Sequence, residues 1–227
     1  GKQPEGRYVS SAKKLSNADV GEVIKFGVDP TGPVGGSLLA NLIQNPSLME
    51  RVNQGREVGY IIIFVGLIGI AIAFWKLFTL YTMGVAVAKQ AKSKTHDKSN
   101  PLGRVLAVGE EHMNKDIETL ELRLAEAIMA ERPAIERGIP VVKIISVVAP
   151  LAGLLGTVTG MIVTFQQITL FGTGDPKIMA GGISQALVTT VLGLVVAIPT
   201  TLLHSFANSS ARGIINVLEE QSTGIVA

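Results

Sequence analysis

The sequence predicts an all-α membrane protein: three transmembrane helices, N-terminus outside and C-terminus inside, with long helices extending into the cytoplasm. Three observations carry this reading. Apolar residues gather in blocks near 60–82, 141–171 and 178–207, and each block exceeds the about 20 residues that a bilayer crossing takes. The segments between them are as polar as those of a soluble protein and repeat their apolar residues at helical spacing. A run of lysines follows the first block, and lysines in short loops mark the cytoplasmic side.

Whole-chain composition works mainly by exclusion. A hydrophobic share of 47% over 227 residues is ordinary, so the clustering and not the total decides the class. The absence of cysteine removes disulfides, thiol nucleophiles and thiolate metal sites. His96, His112 and His204 are scattered and form no pair at metal-ligand spacing. A net charge of +2 is too small to point to nucleic acid. No nucleophile–base pair, phosphate loop or metal cluster stands out, so neither an enzyme nor a bound cofactor or metal is expected.

Residues 1–36 carry Pro4, Pro30, Pro33 and several glycines. They read as a periplasmic linker, the remnant of a longer N-terminal region, with no core of its own. Within 37–59, Leu38, Leu39, Leu42 and Ile43 share one face, Pro46 interrupts, and Leu48, Met49 and Val52 resume it. This predicts an amphipathic periplasmic helix or bent pair at the membrane surface; a soluble helix packed on another domain would show the same pattern.

The first span is placed at 60–82. Tyr60, Trp75 and Tyr81 lie near its ends, as interfacial aromatics do, and Lys76 is expected to snorkel its ammonium toward the interface. Residues 83–140 form the cytoplasmic helical region. Lys89, Lys92, Lys94 and Lys98 open it, Ser99-Asn-Pro101 breaks it, and Glu110 to Arg137 reads as one amphipathic helix with Ile117, Leu120, Leu124 and Ile128 on one face. The second span is 141–171, a periplasmic turn follows at 172–177, the third span is 178–207, and 208–227 is a cytoplasmic tail continuing as an amphipathic helix. Arg51 and Arg56 blunt the charge asymmetry across the first span, but each neighbours a glutamate.

The second and third spans share one unusual property. In the second, Gly153, Gly156, Thr157, Gly160 and Thr164 recur every three or four residues; in the third, Gly182, Ala186, Thr189, Gly193, Ala197 and Thr200 do the same, with Gln185 and Thr190 alongside. Small residues let membrane helices approach closely, and such a stripe is more often plain packing than a pore. Two threonine-bearing faces on consecutive spans also suit a narrow polar pore. Neither span contains Asp, Glu or Arg, whereas proton-driven machines use an ionisable group within the membrane. Either the chain moves nothing, or a partner supplies the carboxylate.

Ala149-Pro150-Leu-Ala-Gly153-Leu-Leu-Gly156-Thr157-Val-Thr-Gly160 and Gly182-Ile-Ser-Gln185-Ala-Leu-Val-Thr189-Thr190-Val-Leu-Gly193-Leu-Val-Val-Ala197-Ile-Pro199 resemble the paired signatures of the MotA/TolQ/ExbB proton-channel family. The three-span, N-out plan is closest to ExbB, and the long region before the first span to TtpC-type ExbB proteins of TonB systems. The resemblance implies a bacterial inner-membrane complex: a ring-forming homo-oligomer, a pentamer, around an ExbD-like single-span protein that supplies an intramembrane Asp. It further implies a TonB-like partner, membrane lipids as surroundings, protons as the coupling ion, and energised outer-membrane transport such as iron-siderophore uptake. TolQ-like subunits, flagellar or gliding motor stators, and a non-transporting scaffold are the alternatives.

Carried over by motif, the pore-lining residues are Thr157, Thr190, Gln185, Thr164 and Thr189. The packing residues are Gly153, Gly156, Gly160 and Gly193, and Pro150 and Pro199 should bend or end the spans. One departure stands out: the family commonly has Glu at the position of Gln185, and an amide carries no proton. The partner Asp is then expected to be the sole titrating group in the membrane.

Overall fold

A computed structural model describes residues 6–25, 52–93, 97–172 and 176–226. Most of the expected surface helix at 37–59, and 173–175 of the expected turn, lie outside the described residues. The chain divides into two units, 1–51 and 52–227.

The first unit contains one described helix, α1 (Gly6–Ser16), in a region whose composition reads as linker. The stretch Ser10-Ser-Ala-Lys-Lys-Leu has no Pro or Gly to interrupt a helix. Val9 and Leu15 remain exposed, so α1 builds no core.

The second unit is a helical bundle with no strand among the described residues. Its elements are α2 (Arg56–Gln90), α3 (Pro101–His112), α4 (Ile117–Glu136), α5 (Ile139–Phe171) and α6 (Pro176–Val226). Three of these, α2, α5 and α6, are long and apolar enough to cross a membrane. At 1.5 Å per residue the 51 residues of α6 reach about 76 Å, well beyond the about 30 Å of a hydrocarbon core. The third span and the tail are therefore one continuous helix.

Bundle packing is built on glycine where the spans cross. A Cβ at Gly66 of α2 would meet Val196 Cγ1 at 2.7 Å, and one at Gly69 would meet Ile145 Cγ2 at 2.9 Å. Ile62, Ala149, Val196 and Ala197 fill the space around this crossing. On the other side of α2, Phe64, Phe74, Trp75, Phe78 and Tyr81 are exposed, the face a lipid-contacting helix presents.

From the end of the apolar zone outward, the far halves of α2 and α6 make a second core with α3 and α4. Leu80 and Val87 of α2 join Leu102 and Val105 of α3, Leu120 and Leu124 of α4, and Ile214 and Leu218 of α6. The turn from α2 into α3 is held by a buried polar knot. Asn100 caps α3 by accepting the Gly103 N–H at 2.8 Å, while its amide donates to Asp97 O at 2.9 Å and Gln90 Oε1 at 3.3 Å. Pro101 occupies the first helical position, where its missing N–H costs nothing. Arg104 forks onto Glu131 with both bonds at 2.7 Å, tying α3 to α4 and holding the guanidinium above its ordinary range through those bonds.

Two details differ from the sequence reading. The expected single helix from Glu110 to Arg137 is two helices, because Asp116 caps a new start at Ile117 by accepting from Thr119 N at 2.9 Å. Ile117 is consequently exposed, Leu120 and Leu124 are buried, and Ile128 is half-buried. The second difference is Lys76. Its ammonium does not snorkel: the residue is 3% exposed, and Nζ donates to Ala134 O at 3.1 Å at the end of α4. The carbonyl of Ala134, in the last turn of α4, accepts it instead.

The Asp116 cap yields a pH prediction. The Thr119 N–H, then its hydroxyl, hold the Asp116 carboxyl below the ordinary carboxylate range. A lowered folded pKa adds stability that is present above the unfolded value of about 3.9 and lost as pH falls through the folded one. The protection factors of the Thr119 and Leu120 amides, which correct for the intrinsic pH dependence of exchange, should therefore be high at pH 7 and fall below about pH 4. In Asp116→Ala the same amides should show low protection at both pH values.

Candidate functional site

The site is the crossing of α5 and α6. A Cβ at Gly153 would stand 2.8 Å from Thr189 O and 3.1 Å from Thr190 Cα; one at Gly193 would stand 2.7 Å from Ala149 O and 3.2 Å from Pro150 Cα. Backbone thus meets backbone with no side chain between. Farther along, Gly156 faces the Thr189 side chain, Gly160 faces Ala186, and Gly182 faces Thr164. Hydrogen alone fits at these points, which is the physical reason for the glycine period.

The threonines use this closeness in two ways. Thr189 is 1% exposed; its Oγ1 lies 2.7 Å from Ala186 O on its own helix and 3.2 Å from Gly153 O on the other. Thr190 Oγ1 approaches the same Gly153 carbonyl at 3.3 Å. Two hydroxyls of α6 therefore converge on one carbonyl of α5. Thr164, 2% exposed, donates to Gly160 O at 2.9 Å. Thr157 donates to Leu154 O.

Burial sorts the named residues. Thr164 and Thr189 are enclosed between the two helices of one chain. Thr157, Gln185 and Thr190 are only half-buried, and the Gln185 amide makes no hydrogen bond among the described residues. Pro150 and Pro199 lie inside α5 and α6 and end neither. Around Pro199, Thr200 donates to Val196 O at 2.8 Å and Thr201 to Ala197 O at 2.7 Å, each back onto the preceding turn of its own helix, while the carbonyl that loses its backbone donor to the proline is that of Val195. Gly182 belongs with the packing glycines because it receives Thr164, a partnership that no spacing within one helix reveals.

Between Ala149 and Phe171 and between Ile178 and Thr201 there is no Asp, Glu, Lys, Arg or His. Among the described residues no group of His, Asp or Glu could hold a metal ion. The crossing offers carbonyls, hydroxyls and the Gln185 amide, which can hydrogen-bond to a proton-bearing group but cannot themselves change charge.

These features define a multi-pass helical membrane protein whose two final spans form a polar, uncharged seam. The chain belongs to the MotA/TolQ/ExbB proton channel family: residues 97–220, which run from the turn before α3 through most of α6, match it. It is 27% identical over 176 residues to a biopolymer transport protein ExbB homolog of Methanothermobacter thermautotrophicus, covering 70% of this chain and 62% of that protein. It is 29% identical over 175 residues to the ExbB-like 1 biopolymer transport protein of Synechocystis sp., covering 69% of each. Over 58 residues it is 48% identical to the biopolymer transport protein ExbB of Aquifex aeolicus, covering 26% of this chain and 39% of that one. The chain therefore spans a little under two thirds to just over two thirds of the two relatives that it matches at length.

The crossing geometry sets a paired test. Gly193→Ala drives a methyl against backbone and should destabilise the α5–α6 pair by about 1–3 kcal/mol. Gly213→Ala, with nothing within 4 Å of its Cβ, should be neutral or stabilising by up to about 1 kcal/mol through helix propensity. Thermal unfolding of the detergent-solubilised protein checks both.

Proposed function

We propose that this chain is the channel-forming subunit of an inner-membrane complex that spends the proton gradient on TonB-dependent outer-membrane transport. The observation that carries the reading is the seam: half-open hydroxyls and the Gln185 amide, in two spans that contain no Asp or Glu and whose ionisable residues, Lys143 and His204, sit only near their ends. A proton path through such a surface needs a titrating group from elsewhere, and an ExbD-like helix bearing an Asp supplies one. The names of the relatives support a biopolymer-transport role over a motility one.

In this reading five copies form a ring, N-terminus in the periplasm, with Thr157, Gln185 and Thr190 toward the central partner. The Thr157 and Thr190 hydroxyls donate to backbone carbonyls of α5, so what they turn outward is lone pairs. Acceptors of that kind favour the protonated carboxyl of the partner and hold its pKa up, as does removal from water. Gln185, where relatives in the family commonly have Glu, provides a donor and an acceptor without competing for the proton. Thr164 and Thr189 hold α5 and α6 together behind this surface.

Reconstituting the ring with its Asp-bearing partner in vesicles tests the proposal. Thr157→Val and Thr190→Val keep side-chain shape and remove the acceptor; each should lower proton flux about tenfold or more, the worth of a hydrogen bond to a proton-carrying group, with ring mass unchanged. Undiminished flux in both variants would remove the pore role, and no flux in the unmutated complex would leave the scaffold reading.

A further inference from the structure

Lys76 is a cation buried in a membrane-spanning helix, and the polar seam makes no use of it. It is 3% exposed, and no carboxylate among the described residues pairs with it. Its one hydrogen bond among the described residues runs to Ala134 O, three residues before helical geometry is left at Arg137. The last carbonyls of a helix lack intrahelical donors and carry the negative end of its dipole, so this is a place where an ammonium is stabilised without a counter-ion. Pro133, one residue earlier, has no N–H to give to the preceding turn and loosens the same end further.

The stretch that Lys76 holds is the junction between α4 and α5. Arg137 leaves helical geometry at ψ 129, and Gly138 turns the chain in the left-handed region at φ 88, a conformation that a side chain strains. A Cβ at Gly138 would lie 3.7 Å from Ile72 Cγ2, one turn before Lys76 on α2. Ile135 and Ile139, on either side of the turn, are buried in the extramembrane core. The junction is thus seated on α2 over residues 72–80, with Lys76 as its polar tether. Past the junction α5 runs without interruption to Pro150, Gly153 and Thr157.

We infer that Lys76 is a positioning residue: its ammonium clamps the C-terminal carbonyls of α4 and thereby sets the pose in which α5 presents the seam. A clamp at one end of a continuous helix fixes the rotation and depth of everything that follows. The clamp is defined by geometry alone; its effect on proton flux rests on the function proposed above.

The experiment uses the full chain in its assembled complex and reads hydrogen exchange over 133–142 together with proton flux per assembled ring. Lys76→Met keeps length and apolar bulk and removes the donor and the charge. Exchange at 133–142 should accelerate about tenfold or more, the worth of one hydrogen bond to a charged group, while exchange in the α3–α4 core stays unchanged. Flux per ring should fall, and Lys76→Gln, which retains an N–H donor of shorter reach, should lie between. Wild-type exchange in Lys76→Met, with acceleration only in Lys76→Ala, would show that the side chain merely fills space and would overturn the clamp. If Lys76→Met does not assemble, Lys76→Gln carries the same comparison, and wild-type exchange and flux there would overturn it equally. If the unmutated ring carries no flux, the proposed function fails, and the exchange measurement still decides the clamp.

Discussion

The structure depends on how closely α5 and α6 approach each other. At Gly153 and Gly193 the two backbones touch, leaving room for a hydrogen and nothing larger. In a membrane there is little hydrophobic drive to bring helices together, since lipid tails are as apolar as leucine. Dispersion between close backbones and hydrogen bonds across the gap must hold the pair. Both are present here: the glycine faces supply the first, and Thr189 and Thr190 converging on the Gly153 carbonyl supply the second.

That closeness divides the threonines between two tasks. Thr164 and Thr189 are buried inside the pair: Thr189 reaches across to the Gly153 carbonyl, while Thr164 returns its hydroxyl to Gly160 of its own helix and packs against Gly182. Thr157 and Thr190, together with Gln185, stand at the edge of the contact and keep polar surface open. A seam of this kind is polar without being charged. It can sit among apolar helices at modest cost, yet it offers hydrogen-bonding capacity to a neighbour that enters the membrane carrying an ionisable group.

The extramembrane helices are more than an appendage to the spans. α6 and α2 continue out of the apolar zone without a break, so the core formed by Leu80, Leu102, Leu124 and Leu218 belongs to the same rigid elements as the seam. The α2–α3 turn is knotted by Asn100 and Gln90, and the α4–α5 junction is tethered by Lys76. Each connection that returns the chain toward the membrane is held by a polar side chain with a defined backbone partner. Motion of α3 and α4 would therefore reach α5 through a short, fixed junction instead of dissipating in a loop.

Much of this was legible in the chain itself. Apolar block length determined three spans, small-residue periodicity marked the α5–α6 faces, and the lack of Asp and Glu in both spans pointed to a partner. These properties live within single helices, where 3.6 residues per turn converts spacing directly into a face. What tertiary structure decided were the partnerships between helices. Thr164 and Thr189 look the same as Thr157 and Thr190 along the sequence, and only the crossing point of α6 on α5 separates buried contact from open surface. Lys76 reads as a snorkelling residue because its neighbours along α2 are an interfacial Trp and apolar side chains; that the end of α4 lies beside it depends on a contact 58 residues away. Asp116 carried the signal of a helix start, but the run of apolar residues on both sides of it matched one helix as well as two, and a capping bond shows itself only when the backbone is in place. Local periodicity thus determined which faces would be buried, and packing alone determined what each buried group would meet.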